Sequence, residues 1–378
     1  DIKENRKEVF KKIRRIVIKI GSGVLTSPDR SKLDDSIIEQ IAHQVSTLKK
    51  SGCEIILVSS GAIAAGIKEL NLKKIPEDIL HKQAAAAIGQ SHLIGKYERH
   101  FKKEELKVAQ ILLTHDDFSS RVRYLNAKNT ILTLLSYGVI PIINENDTVA
   151  VDEIKFGDND TLSAMVTNLI EADLLIILSD VKGLYTSDPK INSSAGLIPI
   201  VKKITSEIET IAGESKSLTG VGGMVTKIQA AKMVSLTGIP AVIVDGKAKG
   251  VIEAIMKGED MGTLFIPEKD KLNSKKYWIA YTLKSNGKIK VDNGAKSVLI
   301  SSGKSLLSSG VVDIEGKFES GDMVSCIDTN NKEFARGLIN YSSMELKKIK
   351  GKHSSKIEDI LGYKIADEVI HRDNLVIL

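Results

Sequence analysis

The first two-thirds of the chain alternate between short apolar runs and longer stretches with helical spacing. Six runs are rich in β-branched residues and continuously apolar, which is typical of strands covered on both faces. They are Arg15–Gly21, Cys53–Gly61, Val108–Thr114, Val139–Glu145, Leu174–Asp180 and Ile239–Gly246. Helices are predicted at Asp34–Lys50, Gln83–Phe101, Arg121–Ser136, Asp160–Ala172 and Met224–Leu236. This order predicts an α/β fold, a parallel-sheet αβα sandwich.

The pattern changes near residue 267. Polar residues are frequent in 269–286, which we interpret as a linker. From Gly287 onward, short strand signals alternate with turn signals such as Asp292-Asn293-Gly294 and Ser320-Gly321-Asp322. The predicted organisation is therefore a first domain at 1–268, the linker at 269–286, and a small mainly-β domain at 287–378.

Composition narrows the class of protein. The 378 residues are 42% hydrophobic and 27% charged, and no apolar run approaches the ~20 residues that span a bilayer, so no membrane association is expected. The two cysteines, Cys53 and Cys326, cannot form a disulfide framework. The charged N-terminal segment lacks the apolar core of a signal peptide. These features favour the cytoplasm as the compartment.

Ligands of parallel sheets bind beyond the carboxyl ends of the strands, so function is expected there. Lys19 lies inside an apolar strand, just before the small residues Gly21-Ser22-Gly23. A buried lysine is costly unless it faces a cleft or an anion, and N–H groups of such a turn can approach a phosphate. The alternative is an edge-strand lysine that faces solvent. Ser59-Ser60 opens a helix, where hydroxyls either suit an anion or simply cap the helix.

Three further clusters follow later strands. Asn144-Glu145-Asn146-Asp147 ends one strand, and Gly157-Asp158-Asn159-Asp160 precedes a helix shortly afterwards. Ordinary turn chemistry is the alternative for both. Residues 220–227 form a glycine-rich turn that leads into a helix with Lys227 near its start. A lysine there opposes the helix macrodipole, so its position is easier to explain if an anion binds at that terminus.

Read in order, these clusters resemble the amino acid kinase family, and within it the kinases that phosphorylate glutamate. The resemblance includes Gln83–Gln90, Gln110–Thr114 and Asp180–Pro189, and it covers essentially the whole chain. From Gly287 onward the chain resembles a PUA domain, with Ala335-Arg336-Gly337-Leu338 as a characteristic segment. The resemblance therefore implies the amino acid kinase type of sandwich followed by a PUA-like barrel.

The implied activity is ATP-dependent phosphorylation of the γ-carboxylate of L-glutamate to L-glutamyl 5-phosphate, the first step of proline biosynthesis. ATP and Mg²⁺ are the implied cofactors, with the metal carried mainly by the phosphates and Asp158 as a candidate ligand. A glutamate side chain has a pKa of about 4.3, so the nucleophile is ionised without a general base. The remaining work is to align two anions, which requires positive groups. The alternatives are a kinase for another amino-acid carboxylate, and an RNA-binding protein that acts through the PUA domain.

The resemblance also implies roles for individual residues. Lys19 and Lys227 would contact the phosphates from opposite sides and stabilise the transition state, and Asp160 would hold both lysines. Ser60, Asp147 and Asn159 would bind glutamate, with Asp147 pairing with the substrate ammonium. The implied nucleotide-binding residues are Lys19, Gly21, Ser179, Asp180, Val221, Gly222, Gly223, Met224, Val225, Thr226 and Lys227. Val221 stands where the family commonly has threonine, so a main-chain contact is what this position can offer.

The implied partners are L-glutamate, proline as a feedback inhibitor acting at the loop Asn144–Asn146, and a second copy of the chain in a dimer or tetramer. The distribution of charge along the chain bears on whether RNA is a further partner. Residues 285–378 contain 14 Lys and Arg against 13 Asp and Glu, whereas the whole chain carries +6. Most of the excess lies in the first domain. The charge therefore disfavours RNA binding, although a local basic run exists at Lys347, Lys348, Lys350 and Lys352.

Overall fold

The computed structural model describes residues 2–27, 32–72, 74, 76–150, 159–189, 191–214, 223–267 and 274–378. The chain divides into two compact units. The first comprises Asp1–Asp117 with Tyr124–Lys271, and the second comprises Phe118–Arg123 with Leu272–Leu378. Within the described ranges, no helix is long and apolar enough to cross a membrane.

The first unit is built on an eight-stranded sheet with the order β3-β4-β2-β1-β5-β7-β8-β6. The strands are β1 (Arg15–Ile20), β2 (Glu54–Ser59), β3 (Val108–Leu113), β4 (Ile140–Glu145), β5 (Leu174–Ser179), β6 (Ile200–Val201), β7 (Ala241–Asp245) and β8 (Thr263–Phe265). The six predicted strands are confirmed, with ends that move by one or two residues. They form the parallel body of the sheet. All but β3 bury most of their side chains, whereas β3 is largely half-buried at the sheet edge.

The edge of this sheet differs from a wholly parallel arrangement. β8 runs antiparallel to β7 and pairs in parallel with β6. These two strands have three and two residues, which are too few for a hydrophobic pattern to reveal them. The antiparallel direction of β8 could therefore not be predicted from the sequence.

All five predicted helices are present among the eleven that the described residues form in this part of the chain. The helices are α1 (Ile2–Phe10), α2 (Ser22–Leu25), α3 (Asp35–Lys50), α4 (Ala62–Glu69), α5 (Ile79–Lys103), α6 (His115–Ser119), α7 (Arg121–Ser136), α8 (Asn159–Leu169), α9 (Ser206–Glu214), α10 (Met224–Ser235) and α11 (Val251–Met256). α5 begins earlier than predicted because Asp78 caps it, accepting a hydrogen bond from the His81 N–H at 3.0 Å.

Helix α1 was not predicted, and one arginine ties it to the edge of the sheet. The Arg6 side chain is fully buried. Its guanidinium donates to the carbonyl oxygens of Pro199 at 2.7 Å, Met261 at 2.8 Å and Gly262 at 3.0 Å. A planar fork with five N–H donors can bind several carbonyls at once, so Arg6 links main-chain carbonyls beside the short edge strands β6 and β8.

The second unit is mainly β, as predicted. A mixed five-stranded sheet has the order β11-β9-β12-β13-β15, and a two-stranded sheet pairs β10 with β14. Its strands are β9 (Gly287–Val291), β10 (Leu306–Leu307), β11 (Val311–Gly316), β12 (Met323–Ile327), β13 (Glu333–Leu338), β14 (Glu368–Ile370) and β15 (Leu375–Ile377). Its helices are α12 (Ser274–Tyr277), α13 (Asn293–Ser302), α14 (Ser343–Ile349) and α15 (Ile357–Leu361), with a π-helical turn at Trp278–Thr282.

Candidate active site

The site lies where the central strands of the first unit end. In the sheet register, Lys19 of β1 stands beside Val58 of β2 and Ile177 of β5. One residue further on, Ile20 stands beside Ser59, the last residue of β2. Because these parallel strands end at the same edge, their turns converge there. This is the place at which open parallel sheets bind ligands.

Asp160 is the centre of a buried group of charges. Its carboxylate lies 2.5 Å from the Lys19 ammonium through Oδ1 and 3.3 Å from the Lys227 ammonium through Oδ2. The Thr226 hydroxyl donates a third contact to Oδ2 at 2.7 Å. The exposed fractions are 1% for Asp160, 5% for Lys19 and 6% for Lys227. Two cations therefore share one carboxylate, and the group carries one buried positive charge in excess.

The pKa values in this group follow from its geometry. Burial alone would raise the pKa of Asp160, but the charges of Lys19 and Lys227 outweigh it and hold that pKa below its usual value. Burial lowers the pKa of Lys227; Asp160 partly offsets this, and the neighbouring charge of Lys19 adds to it. The negative charge of Asp180 also raises the pKa of Lys227, and an anionic ligand beside the two lysines would act in the same direction.

Glycines leave room beside these charges. A Cβ at Gly21 would lie 3.6 Å from the Lys19 ammonium nitrogen, and a Cβ at Gly23 would lie 2.9 Å from the Asp180 carboxylate. Ser179 ends β5 with its hydroxyl 3.3 Å from the carboxylate of Asp180. The glycine-rich turn after β1 therefore packs closely against Asp180, and a larger residue at Gly23 would have to displace that side chain.

A second, uncharged cluster adjoins the first through the backbone of α8. Asn159 directly precedes Asp160, and its side-chain Nδ2 donates to the Ser60 hydroxyl and to Asn144 Oδ1, both at 3.0 Å. Asn144 Oδ1 also accepts from the N–H of Glu145 at 2.9 Å. The side-chain oxygen of Asn159, Oδ1, is buried and has no hydrogen-bond partner in the described structure. A buried unsatisfied acceptor of this kind is ready for a ligand donor.

Asp147 supplies an acidic group to the same loop. It follows β4 and is 8% exposed, and Glu145 is 7% exposed. Burial raises the pKa of Asp147 to about 7, with the negative charge of Glu145 as a second cause. A ligand cation beside Asp147 would favour its ionised form, so this position suits an ammonium group.

Some predicted site residues are not placed in either of these two clusters. Asp158, Val221 and Gly222 lie outside the described residues. Met224 and Val225 are in the first turn of α10, where the Val225 side chain is exposed. Sequence reasoning overlooked the contact of Asn144 with Asn159 and that of Tyr97 with the Ser59 hydroxyl, 2.9 Å between oxygens. A tyrosine within a helix of ordinary composition offers no signal for such a role.

Comparisons with known proteins identify the family of each part of the chain. The family model described as the amino acid kinase family matches residues 14–245, and that of the PUA domain matches residues 287–361. A Glutamate 5-kinase of Pelobacter propionicus is 53% identical over 373 residues, which cover 99% of this chain and 100% of that protein. A Glutamate 5-kinase of Geobacter sulfurreducens is 55% identical with the same coverage.

Solved structures include the UMP kinase of Bacillus anthracis, with a TM-score of 0.47, 17% identity, and coverage of 68% of this chain and 97% of that one. The family model spans more than half of the chain, and relatives above 50% identity match it from end to end. The chain belongs to the amino acid kinase family, among its glutamate 5-kinases, and carries a PUA domain.

Proposed function

We propose that the protein transfers the γ-phosphoryl group of ATP to the side-chain carboxylate of L-glutamate, giving L-glutamyl 5-phosphate for proline biosynthesis. Full-length relatives named Glutamate 5-kinase support the reaction. The observation that carries it in this structure is the buried carboxylate of Asp160 shared by Lys19 and Lys227, next in sequence to Asn159 and its polar cluster.

The two lysines perform the electrostatic work of the reaction. ATP supplies the phosphoryl group, and the two buried lysines that share the Asp160 carboxylate support phosphate binding beside them. We propose that Lys19 and Lys227 hold these phosphates and neutralise the charge that develops during transfer. Asp160 keeps both ammonium groups in place. Gly21, Ser179, Asp180, Gly223 and Thr226 form the surroundings of the nucleotide in this proposal. Mg²⁺ accompanies the phosphates, with Asp158 as its candidate protein ligand.

The second cluster would hold the amino acid. Asp147 pairs with the substrate ammonium, and the unsatisfied Asn159 Oδ1 is a second acceptor for that ammonium. The Ser60 hydroxyl accepts from Asn159 and donates its own proton to a carboxylate. The Asn159 amide and the Ser60 hydroxyl already contact each other at 3.0 Å, which fixes their orientation before glutamate binds. A preorganised pair of this kind spends little binding energy on ordering side chains.

The test is an ATP-dependent assay in which hydroxylamine traps the acyl phosphate as a hydroxamate. Glutamate, aspartate and N-acetylglutamate are compared at equal concentrations. Turnover with glutamate well above that with the other two acids is the expected result. Preference for either of the others would replace the substrate assignment, and no turnover with any acid would refute the kinase proposal.

Four further expectations accompany this proposal, on proline, assembly, domain boundaries and RNA. Proline would act at the loop Asn144–Asn146, because Asn144 contacts Asn159 directly. A homo-oligomer is the proposed assembly. The domain boundaries near 268 and 287 draw support from the PUA match at residues 287–361 and from the start of β9 at Gly287. A tRNA titration with a measured salt slope tests RNA binding by the second domain, and a slope near zero argues against it.

A further inference from the structure

A fully buried tyrosine stands behind the turn that carries Ser60. Tyr97 lies in α5, has no exposed surface, and belongs to the core cluster of the first unit. Its ring packs near Phe101, with 6.3 Å between the ring centroids. Its hydroxyl lies 2.9 Å from the Ser59 hydroxyl, at the last residue of β2. The aromatic ring therefore fills the core while its polar end reaches the edge of the site.

The direction of the hydrogen bonds follows from the available protons. The Ser59 hydroxyl donates to the carbonyl oxygen of Ser60 at 3.0 Å, so its single proton is already committed. Tyr97 must then be the donor to Ser59. Burial raises the pKa of Tyr97, which keeps the phenol protonated and able to donate. The relay thus runs from the Tyr97 hydroxyl through Ser59 to the main chain of Ser60.

Asn159 holds the same turn from its other side. Its Nδ2 donates to the Ser60 hydroxyl at 3.0 Å and approaches the carbonyl oxygen of Ser59 at 3.4 Å. Gly61, the next residue, has a φ of +103°, a conformation that favours glycine and reverses the chain into α4. The Ser60 N–H donates to the Ile20 carbonyl oxygen at 3.1 Å, whereas the Ser60 carbonyl oxygen accepts from the Ser59 hydroxyl. Loss of the relay would therefore weaken the contact that orients this carbonyl.

We infer that Tyr97 is a positioning residue for the amino-acid substrate: by donating to Ser59, it fixes the Ser60 peptide and aims the Ser60 hydroxyl at the bound carboxylate. This inference rests on the proposed function. Tyr97 itself does not touch the substrate. Its effect is specific to the amino-acid side of the site, because the relay includes neither Lys19 nor Lys227.

The variant Tyr97→Phe removes the hydroxyl and keeps the ring. A buried hydrogen bond contributes about 0.5–1.5 kcal/mol, so the KM for glutamate should rise roughly two- to tenfold while the KM for ATP stays within about twofold. Ser59→Ala should raise the glutamate KM similarly, and the double variant should show much less than the product of the two effects. Tyr341→Phe is the matched control, because Tyr341 is a buried tyrosine of the second unit whose hydroxyl donates to the Ala366 carbonyl oxygen. It should leave both KM values unchanged.

An unchanged KM for glutamate in Tyr97→Phe, or equal rises of the KM values for glutamate and ATP, would overturn the inference. Turnover of glutamate by the wild-type protein would still support the proposed function in that case. Wild-type protein without glutamate turnover would overturn both. If Tyr97→Phe does not fold, as judged by circular dichroism, Ser59→Ala decides: a selective rise in glutamate KM supports the relay, and no rise refutes it.

Discussion

Replacing Asp147 by asparagine should stabilise the protein while weakening glutamate binding. The Asp147 carboxyl is 8% exposed, and burial together with the charge of Glu145 raises its pKa to about 7. A rise of the Asp147 pKa from the ordinary value of 3.8 to about 7 corresponds to about 4 kcal/mol, because one pKa unit is 1.36 kcal/mol. That free energy opposes folding whenever the carboxyl is ionised, and asparagine removes it.

Because folding raises the pKa of Asp147, the effect of this residue on stability depends on pH. Between about pH 4 and pH 7 the folded state keeps the Asp147 proton that the unfolded state has lost, so stability falls as pH rises through this window. Asp147→Asn should lack this loss. Its gain in free energy of unfolding over wild type should therefore grow by about 2–3 kcal/mol from about pH 5 to about pH 8. As the pH falls below about 3.8, the unfolded state also becomes protonated, and the gain should shrink towards zero.

Chemical unfolding followed by far-ultraviolet circular dichroism is the suitable assay. Intrinsic fluorescence would report on the wrong part of the molecule, because the single tryptophan, Trp278, belongs to the second unit. The matched control is Asp359→Asn, an exposed aspartate whose replacement should change stability by at most a few tenths of a kcal/mol at either pH. A pH-independent gain, or destabilisation at about pH 8, would refute the buried-charge account.

The same variant tests the binding role. If Asp147 pairs with the substrate ammonium, its neutralisation should raise the KM for glutamate roughly ten- to a hundredfold at about pH 8, the range expected for a hydrogen bond to a charged group. The KM for ATP should change little. A variant that is more stable yet binds glutamate normally would separate the two ideas: the charge would be buried as described, and the ammonium would bind elsewhere.

Three other substitutions have defined outcomes. Lys227→Ala should lower kcat by about a hundredfold or more, as loss of a transition-state charge does, and normal turnover would remove its assigned role. Arg6→Ala should cost about 3 kcal/mol in an unfolding titration, because several buried carbonyls lose their donor, whereas the exposed Arg14→Ala should be near neutral. Gly89→Ala should prevent stable folding, since its Cβ would lie 1.7 Å from a main-chain oxygen of α4. Gly95→Ala in the same helix meets nothing within 4 Å and should stabilise by up to about 1 kcal/mol; equal thermal melts for the two variants would contradict the packing argument.

The central strands were predictable from the sequence because strands buried on both faces are apolar over most of their length. The buried polar residues of β4 and β5, Asn144, Glu145 and Ser179, lie at the carboxyl ends. β4 and β5 have no residue outside the buried class, and the continuous runs in the sequence directly reflect this. The same reasoning failed at the sheet edge. β6 and β8 are too short to carry a pattern, and the buried Arg6 that secures them lies in a charged segment with the appearance of a solvated terminus.

Some site residues were likewise predictable from the sequence, and others were not. Clusters of Asn, Asp and Lys at strand ends stand out, because polar residues directly after apolar runs are conspicuous. Contacts between distant segments do not stand out, since their partners are set by packing. The Ser59 hydroxyl was interpreted as an anion contact or a helix cap, whereas the structure directs it to the Ser60 carbonyl and to Tyr97. That tyrosine comes from a distant segment: α5 packs against α4, the helix that follows β2, with Gly89 beside the main chain of Ala62.

Helix α8 explains why the two halves of the site depend on each other. Asn159 and Asp160 are consecutive residues in its first turn, and one contacts the polar cluster while the other holds the two lysines. A small rotation of α8 would therefore displace both sets of contacts at once. The helix is pinned far from the site: Asn168, near its C-terminal end, accepts a hydrogen bond from the Thr237 hydroxyl at 2.7 Å. Except for Thr161, every residue of α8 is buried, so packing fixes the helix on all sides. In the proposed reaction, one rigid helix rather than two independent loops would thus set the relative placement of amino acid and phosphate.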